Sequence, residues 1–379
     1  MPRPATGRRS RASRRPTSCH SPNTTPKADA GVISTCAGMA SPSIHIRQGN
    51  TMKAYVIEQA GGPEVLQIRD IPSVAPKADE VRIRVRAFGL NRAETYLRAG
   101  KMGPIDGPRV PGIEAVGEVV EDPSGTFRIG QRVATSMGGL QFTRQGSYAE
   151  EVTVLRTNVI DLDGTTLSWE ELAALPQAYL TIWGALNKSL GIEAGQTLLV
   201  RGATSTVGLA AITYAKASGL HVIATTRSAR NENRLFQAGA DDVIVDGGEI
   251  ADDVRRLFPN GIDAALEVVG AATLRDTANT LRPFGAVVVV GLLGGPPVIE
   301  HLNLMTDLPP AVKLSFFPSQ LFGTPSLPLG DAPLRMIVDG VATKQIPSLL
   351  ERTFAFDEVR QAHELIESNR ALGKLVVLV

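Results

Sequence analysis

Between Met52 and about Asp163, apolar and polar residues alternate in short runs that are typical of strands. The runs MKAYVIEQ, VLQIRDI, VRIRVRAFGL, IEAVGEVVED and QRVATSM show this pattern, with Gly and Pro between them. The clearest alternation spans Val81–Val85. Since none of these runs leads into a long periodic helix, the pattern predicts a compact, largely antiparallel, barrel-like domain.

The pattern changes at Ser168. Ser168 and Glu171 have the spacing of a capping box, which starts a helix, and Pro176 predicts a kink or break in the apolar stretch that follows. Strand and helix patterns then alternate through TLLVRG, VGLAAITYAKASG, HVIATT, NENRLFQAGA, DDVIV, IDAALEVVG and GAVVVVG. This alternation predicts a doubly wound parallel sheet. Near the C-terminus we expect a helix capped by Asp357 and a last strand.

Composition narrows the class of protein. The chain has 379 residues, 43% of them hydrophobic and 20% charged, with a net charge of +1, which is ordinary for a soluble two-domain protein. This charge argues against a dedicated nucleic-acid binder, and no apolar run approaches the roughly 20 residues of a membrane-spanning helix. Cys19 and Cys36 are the only cysteines, so a disulfide scaffold and a thiolate-rich zinc site are excluded.

Residues 1–51 differ sharply from the rest of the chain. They carry eight Lys or Arg and one Asp, a net charge of +7, whereas the remaining 31 basic and 37 acidic residues give −6. The segment lacks apolar periodicity, so we expect a disordered basic tail. It could be an organelle transit peptide, an arm for nucleic acid or membrane surfaces, or a solvated tail upstream of a true start at Met52.

The turn after TLLVRG is the strongest chemical signal. A dinucleotide fold needs a tight turn, a close backbone approach to pyrophosphate and close helix packing here, and the helix N-terminus supplies N–H groups for phosphate. Gly208 supplies the packing position, whereas Ala203 and Ser205 stand where Gly is commoner. The hydroxyls of Ser205 and Thr206 could also donate to phosphate. The alternative is an ordinary strand–helix turn. The candidate cofactor-binding residues are Ala203, Thr204, Ser205, Thr206, Val207 and Gly208.

The end of the second strand indicates which dinucleotide is bound. An NAD site places an acid there for the ribose hydroxyl. This chain has Thr226 at that position, no acid from Leu209 to Asn231, and then Arg227, Ser228 and Arg230. Guanidinium groups can bind a 2′-phosphate, so NADPH is the expected cofactor. The alternative is that these arginines belong to a solvated loop.

Several segments in order carry a family resemblance: MKAYVIEQAGGPEVLQI, GLNRAETYLRAG, PGIEAVGEVV, GSYAEEVTV, LPQAYLTIWGAL, RLFQAGADDVI and ALGKLVVLV. With them, residues 52–379 resemble the zinc-independent quinone oxidoreductases of the medium-chain dehydrogenase/reductase superfamily. The resemblance implies a GroES-like β-barrel catalytic domain over 52–172, completed by 315–379, and a Rossmann NADP-binding domain over 173–314. It also implies a homodimer, and we expect a cytoplasmic location.

The same resemblance addresses metal binding. Zinc-dependent relatives carry Cys where this chain has Asn91, and Gly-His-Glu where it has Gly112–Ile113–Glu114. An isoleucine side chain cannot ligate zinc. We therefore expect no metal.

The resemblance also implies a set of site residues. Asn91 would hold the nicotinamide carboxamide or a substrate oxygen, unless it merely caps a turn. Tyr96 would line the pocket and donate a proton or hydrogen bond, unless it is a core tyrosine. Thr181 matches a threonine near the nicotinamide, with core packing as its alternative. Lys374 matches a basic residue at the cofactor, with a surface lysine as its alternative. The segment expected along the nicotinamide edge is Gly291, Leu292 and Leu293.

Without a metal, a reduced nicotinamide can pass hydride to an acceptor that is already electrophilic. The predicted function is therefore NADPH-dependent reduction of a quinone. Reduction of the C=C bond of enones, alkenals or enoyl thioesters is the alternative, and a non-catalytic NADPH-binding protein is a third. We expect a small-molecule acceptor as the partner, with neither nucleic acid nor membrane. Four residues would make the acceptor pocket apolar, with core packing as the alternative for each: Met102, Phe142, Phe316 and Phe317.

Overall fold

A computed structural model describes residues 51–379 of the protein. The basic tail, for which we predict disorder, and both cysteines lie outside the described residues. Within them, no helix has the length and apolar character needed to cross a membrane.

A six-stranded sheet is formed by strands within residues 197–316. All its strands are parallel, in the order β10-β9-β8-β11-β12-β13. The predicted doubly wound parallel sheet is thereby confirmed. Its strands are β8 (Thr197–Arg201), β9 (His221–Thr226), β10 (Asp242–Val245), β11 (Ile262–Glu267), β12 (Leu281–Val289) and β13 (Lys313–Phe316).

Both faces of this sheet are covered, because successive apolar side chains of a strand point to opposite sides. In β8, Leu198 and Val200 face a core that also contains Leu209, whereas Leu199 faces a second core with Val254. This is why the strands read as continuous apolar runs rather than as alternating ones.

A seven-stranded sheet forms the barrel-like domain. Strand β3 pairs antiparallel with β4, with β6 along its first half and with β15 along its second half, and only β14 and β15 pair in parallel. The strands of this sheet and of a separate β1–β2 hairpin are β1 (Thr51–Val56), β2 (Gln67–Pro72), β3 (Glu80–Gly89), β4 (Glu114–Glu121), β5 (Arg132–Ser136), β6 (Glu151–Leu155), β7 (Ile160–Asp161), β14 (Leu350–Ala355) and β15 (Lys374–Leu378).

The helices begin and end close to the signals in the sequence. The predicted capping box is confirmed, since the Ser168 hydroxyl accepts from the Glu171 N–H and the Glu171 carboxylate accepts from the Ser168 N–H. Pro176 opens a new helix, where its missing N–H costs nothing. The helices are α1 (Arg92–Arg98), α2 (Trp169–Ala173), α3 (Pro176–Trp183), α4 (Thr206–Ala217), α5 (Glu232–Ala238), α6 (Ala251–Leu257), α7 (Leu274–Asn279), α8 (Leu334–Ala342) and α9 (Val359–Glu367).

One expectation about the helices is wrong, and one helical segment was not predicted. Asp357 does not cap α9, because a 3₁₀ turn over Phe356–Glu358 precedes that helix and Glu358 is its N-cap residue. The apolar stretch after α3 continues as a π-helix over Gly184–Leu190. The predicted domain boundaries remain predictions. Strand β13 crosses the predicted boundary between residues 314 and 315 and ends two residues beyond it.

Candidate functional site

The predicted dinucleotide turn joins β8 to α4 at the carboxyl edge of the parallel sheet. Gly202 has a φ of +82°, a left-handed conformation that favours glycine, and its N–H donates to the Thr225 hydroxyl at 3.2 Å. A Cβ on Gly208 would lie 2.6 Å from Ala203 Cα and from Gly202 O. The first turn of α4 therefore packs directly on the loop backbone, which only glycine permits.

The hydroxyls of this turn are used differently from the expectation. The Ser205 hydroxyl accepts from the Gly208 N–H at 3.0 Å and donates to Gly202 O at 2.8 Å, so it caps α4. The Thr206 hydroxyl donates to Gly373 O at 2.8 Å. Because each hydroxyl has a single hydrogen and gives it to a carbonyl here, donation to phosphate would require both hydroxyls to rotate, and it stays a prediction. The Gly208 N–H is used by the Ser205 hydroxyl, which leaves the Thr206 and Val207 N–H groups as the predicted phosphate donors of the first helical turn. Of the other loop residues, Ala203 is buried, whereas Thr204 and Val207 are half-buried.

At the end of β9 the chain turns away from the sheet. Thr226 is buried, and its hydroxyl donates to Ser228 O and accepts from the Ser228 N–H, at 3.1 and 3.2 Å. Ser228 is half-buried, whereas Arg227 and Arg230 are exposed, and neither arginine pairs with a carboxylate of residues 51–379. The turn therefore presents two positive charges to solvent.

The segment predicted along the nicotinamide follows β12 and lies against the end of β11. A Cβ on Gly291 would lie 2.3 Å from Val268 O, so the two backbones touch. Leu292 is half-buried, and Leu293 is exposed with its N–H 3.4 Å from Val268 O. The segment thus lies at the same edge of the sheet as the turn after β8.

Asn91 and Lys374 are brought together in the barrel domain. Lys374, the first residue of β15, is 1% exposed, and its Nζ lies 2.6 Å from both Asn91 Oδ1 and Glu114 Oε1. It is therefore not a surface lysine. Asn91 is the half-buried N-cap residue of α1, and its Nδ2 donates to Glu114 Oε1 at 2.9 Å.

Glu94 completes this group of side chains. It is fully buried, and its carboxylate accepts from the Asn91 N–H at 2.7 Å, from Asn91 Nδ2 at 3.3 Å and from the Ile113 N–H at 3.2 Å. Burial raises the pKa of Glu94 to about 7, although the Lys374 charge opposes the shift. Glu94 therefore titrates near neutral pH inside the candidate site. We call Asn91, Glu94, Glu114 and Lys374 the Asn91 cluster.

Thr181 lies one helical turn after Gln177, which contacts the Asn91 cluster. Its hydroxyl donates to Gln177 O at 2.7 Å, and the Gln177 N–H donates to Glu114 Oε2 at 2.8 Å. Thr181 is 6% exposed. Tyr96 is half-buried on α1, outside this hydrogen-bond network, with Lys101 Nζ 5.6 Å from its ring centroid.

The four residues expected to make the acceptor pocket apolar lie in different environments. Met102 and Phe316 are exposed, whereas Phe142 is partly buried and Phe317 is in the core. The Phe317 ring packs onto Gly184, where a Cβ would lie 2.2 Å from the ring. These side chains therefore do not share one environment.

Sequence reasoning missed the carboxylates of the site. Glu94 stands three residues after Asn91, the spacing of a capping box, and this pattern could have shown it. Glu114 was noted only as part of a missing zinc motif. Arg201 was also missed, although a charged residue inside the apolar run TLLVRG is unusual. It is fully buried and ion-paired with Asp246 and Asp276.

Comparison with known proteins agrees with both halves of the fold. Residues 77–164 match the family model of the alcohol dehydrogenase GroES-like domain, and residues 206–320 match that of the zinc-binding dehydrogenases. The human quinone oxidoreductase is 31% identical over 337 residues, which cover 86% of this chain and 98% of that protein.

Two solved structures are similar over 86% of this chain and their whole length. One is a quinone oxidoreductase from Pseudomonas syringae, with a TM-score of 0.77 and 26% identity. The other is a mycobacterial protein complexed with NADPH, with a TM-score of 0.75 and 25% identity. The chain is thus an enzyme that uses a nicotinamide cofactor, and it belongs to the quinone oxidoreductase family of the medium-chain dehydrogenase/reductase superfamily.

Proposed function

We propose that this enzyme uses NADPH to reduce a quinone and that it does so without a metal. The observation that carries the proposal is the contact between the two predicted sites. The Thr206 hydroxyl of the dinucleotide turn donates to Gly373 O, and the next residue, Lys374, holds Asn91. A dinucleotide on that turn would therefore end beside the Asn91 cluster.

The cofactor would bind along the carboxyl edge of the parallel sheet. The backbone of residues 203–208 would take the pyrophosphate, and Gly291–Leu293 would pass beside the nicotinamide. Arg227, Ser228 and Arg230 would take the 2′-phosphate, next to Thr226. The exposure of both arginines and the lack of a carboxylate partner among residues 51–379 support NADPH over NADH.

The side chains at the Asn91 cluster do not suit a divalent cation. Ile113 has no ligand atom, and the Lys374 ammonium already lies 2.6 Å from the oxygens of Asn91 and Glu114. No group of three or more His, Cys, Asp or Glu side chains within 51–379 is arranged to hold a metal ion. This donor set supports a metal-free reaction.

When bound, the reduced nicotinamide supplies the hydride, and the protein orients the two reactants and excludes water. Asn91 would position the carboxamide or an acceptor oxygen, and Thr181 would lie beside it. Tyr96 would donate a hydrogen bond to the developing oxyanion. Quinone is the favoured acceptor because the human relative is a quinone oxidoreductase.

The cofactor proposal is tested with a double variant, Arg227→Asp/Arg230→Asp. Loss of charge-assisted bonds to a 2′-phosphate should lower the NADPH-to-NADH ratio of kcat/KM by roughly tenfold or more. Arg256→Asp, on the exposed surface of α6, is the matched control and should leave the ratio unchanged. An unchanged ratio in the double variant would remove both arginines from the site.

The acceptor is tested by comparing NADPH oxidation with a benzoquinone, a 2-alkenal and a crotonyl thioester. The proposal expects the benzoquinone to be reduced fastest. Faster reduction of the alkenal or the thioester would instead assign the enzyme to C=C reduction.

We also propose a homodimer. The outer strand of the parallel sheet, β13, presents Leu314 and Phe316 at 45% and 56% exposure, and an apolar sheet edge favours pairing with another chain. Light scattering during size exclusion should give twice the chain mass, and Leu314→Lys should reduce that mass.

A further inference from the structure

The Asn91 cluster holds one carboxamide between opposite charges. Asn91 Oδ1 accepts from the Lys374 ammonium, and Asn91 Nδ2 donates to Glu114 Oε1 at 2.9 Å, with longer contacts to Glu94 Oε1 at 3.3 Å and Gly89 O at 3.4 Å. An ammonium can only donate and a carboxylate can only accept, so the reversed amide would face like groups at both ends. The two charges therefore favour the orientation in which the amide oxygen faces Lys374 and the amide nitrogen faces Glu114.

The ion pair itself is shielded from water. The side chains of Lys374 and Glu114 are each 1% exposed, whereas Asn91 is half-buried. A buried ion pair is weak evidence for stability, because desolvation offsets much of its attraction and apolar replacements are often equally stable. Its arrangement around a half-buried asparagine favours a role in positioning that side chain.

The pair is also anchored to both predicted sites. The second oxygen of Glu114 accepts from the Gln177 N–H in the first turn of α3, the helix that carries Thr181. On the other side, Lys374 follows Gly373, whose carbonyl accepts from the Thr206 hydroxyl. Movement of either anchor would move the partners of Asn91.

We propose that Glu114 and Lys374 are positioning residues, which act through Asn91 by fixing the orientation of its carboxamide for hydride transfer. This inference rests on the proposed function, because it assigns Asn91 to the reacting centre. The resemblance placed Lys374 at the cofactor, whereas this inference has its ammonium, which is bonded to Asn91 and Glu114, act through Asn91. Removal of the pair should therefore matter only as long as Asn91 is present.

The test is a mutant cycle built on a charge-neutral variant, because removing one partner alone would leave an unpaired buried charge. The four proteins are the wild type, Asn91→Ala, Glu114→Gln/Lys374→Met and the triple variant. The paired substitution should lower kcat for NADPH oxidation with a benzoquinone by about 100-fold, as a small misplacement of reacting groups does. In the Asn91→Ala background it should lower kcat by less than about threefold.

Two results of the cycle would overturn the inference. One is a wild-type kcat in the paired variant. The other is a triple variant whose loss equals the product of the two separate losses, because this is what a general structural role produces. Lys216→Met, which removes an ion pair with Asp241 away from the site, is the matched control and should leave kcat unchanged.

A second readout needs no acceptor. With ¹⁵N-labelled asparagine, the side-chain amide signal of Asn91 is identified by its loss in Asn91→Ala. Its hydrogens should exchange with solvent at least tenfold faster in the paired variant than in the wild type, and equal rates would refute the positioning role.

This readout separates the two proposals. If the wild type reduces no quinone, the proposed function fails, and amide exchange still decides the inference. If the paired variant does not fold, Glu114→Asp retains the charge and withdraws the carboxylate by one methylene. It should accelerate exchange at least threefold, and an unchanged rate in Glu114→Asp would overturn the inference.

Discussion

Two buried ionic clusters, one in each domain, differ in how completely their hydrogen bonds are used. The Arg201 guanidinium donates to both oxygens of Asp246 at 2.9 and 3.0 Å, to Asp276 at 2.6 Å and to Gly248 O at 2.7 Å. Its Nη1 also donates to Thr273 O and to the Thr277 hydroxyl. In the Asn91 cluster, two of the three ammonium hydrogens of Lys374 are accounted for, and Asn91 remains half-buried.

The difference separates a structural cluster from one suited to chemistry. Arg201 ends β8, and its partners follow β10 and lie on α7, so it ties together three elements beneath the dinucleotide turn. Every donor is used, as a planar fork with five N–H groups allows. The Asn91 cluster joins α1, β4 and β15, and its asparagine is half-buried. The Arg201 cluster has no donor left for a ligand, whereas one ammonium hydrogen of Lys374 is not accounted for.

Removing Arg201 should have the largest effect on the free energy of unfolding. Arg201→Met leaves Asp246 and Asp276 largely buried without their cation, so the free energy of unfolding should fall by about 3–5 kcal/mol. Denaturant unfolding measures this loss. The kcat per folded molecule should stay unchanged, because the Arg201 side chain is fully buried and its donors are used within the protein. Arg282→Met, which removes a half-exposed pair with Asp263, should cost about 0–1 kcal/mol. Equal costs for the two variants would contradict this assignment.

Glu94→Gln should remove a pH-dependent loss of about 3 kcal/mol in the free energy of unfolding, which would sharpen the comparison. Burial raises the pKa of Glu94 to about 7, well above that of an unfolded chain. The folded state then holds the proton more tightly, so ionised Glu94 lowers the free energy of unfolding. This penalty is absent below about pH 4.5 and complete above about pH 7.

Glutamine cannot ionise, so the variant lacks this pH-dependent penalty. Its free energy of unfolding relative to the wild type should rise by about 3 kcal/mol between pH 4.5 and 8. Glu118→Gln, in a partly exposed pair with Arg86, should show a much smaller change and is the control. A pH-independent difference between Glu94→Gln and the wild type would contradict the burial argument.

Thr206→Val should have the smallest effect. It removes the hydrogen bond to Gly373 O that links the dinucleotide turn to the Asn91 cluster, at a cost of about 0.5–1.5 kcal/mol. We expect the KM for NADPH to rise and kcat to fall by a few-fold. Thr206→Ser retains the hydroxyl and should behave like the wild type. Identical kinetics in the valine and serine variants would show that the link is not used.

Local signals predicted much of the fold. The run TLLVRG and the helix after it were read from apolar periodicity, and the capping box at Ser168 and the break at Pro176 were read from single residues. These features depend on neighbours within a few positions, so the sequence shows them directly. The prediction that Asp357 caps the helix was wrong, because a 3₁₀ turn over Phe356–Glu358 precedes α9 and moves its N-cap to Glu358.

The candidate site was predicted unevenly. The dinucleotide turn and the arginines after β9 are contiguous, and the structure has them at the carboxyl edge of the sheet as expected. The Ser205 and Thr206 hydroxyls donate to the carbonyls of Gly202 and Gly373, and the periodicity of the sequence does not reveal these contacts. Lys374 gave no sign of its burial, because its partner Glu114 is 260 residues away.

The sequence by itself determined the order of strands and helices, the glycine at position 208 and the absence of an acid after the second Rossmann strand. These are properties of short segments, set by side-chain size, periodicity and backbone freedom. Only the tertiary structure decided that Asn91, Glu94, Glu114 and Lys374 share one site and that Arg201 is buried among carboxylates. Such contacts depend on strand pairing and crossover connections, which bring distant charges together and remove them from water.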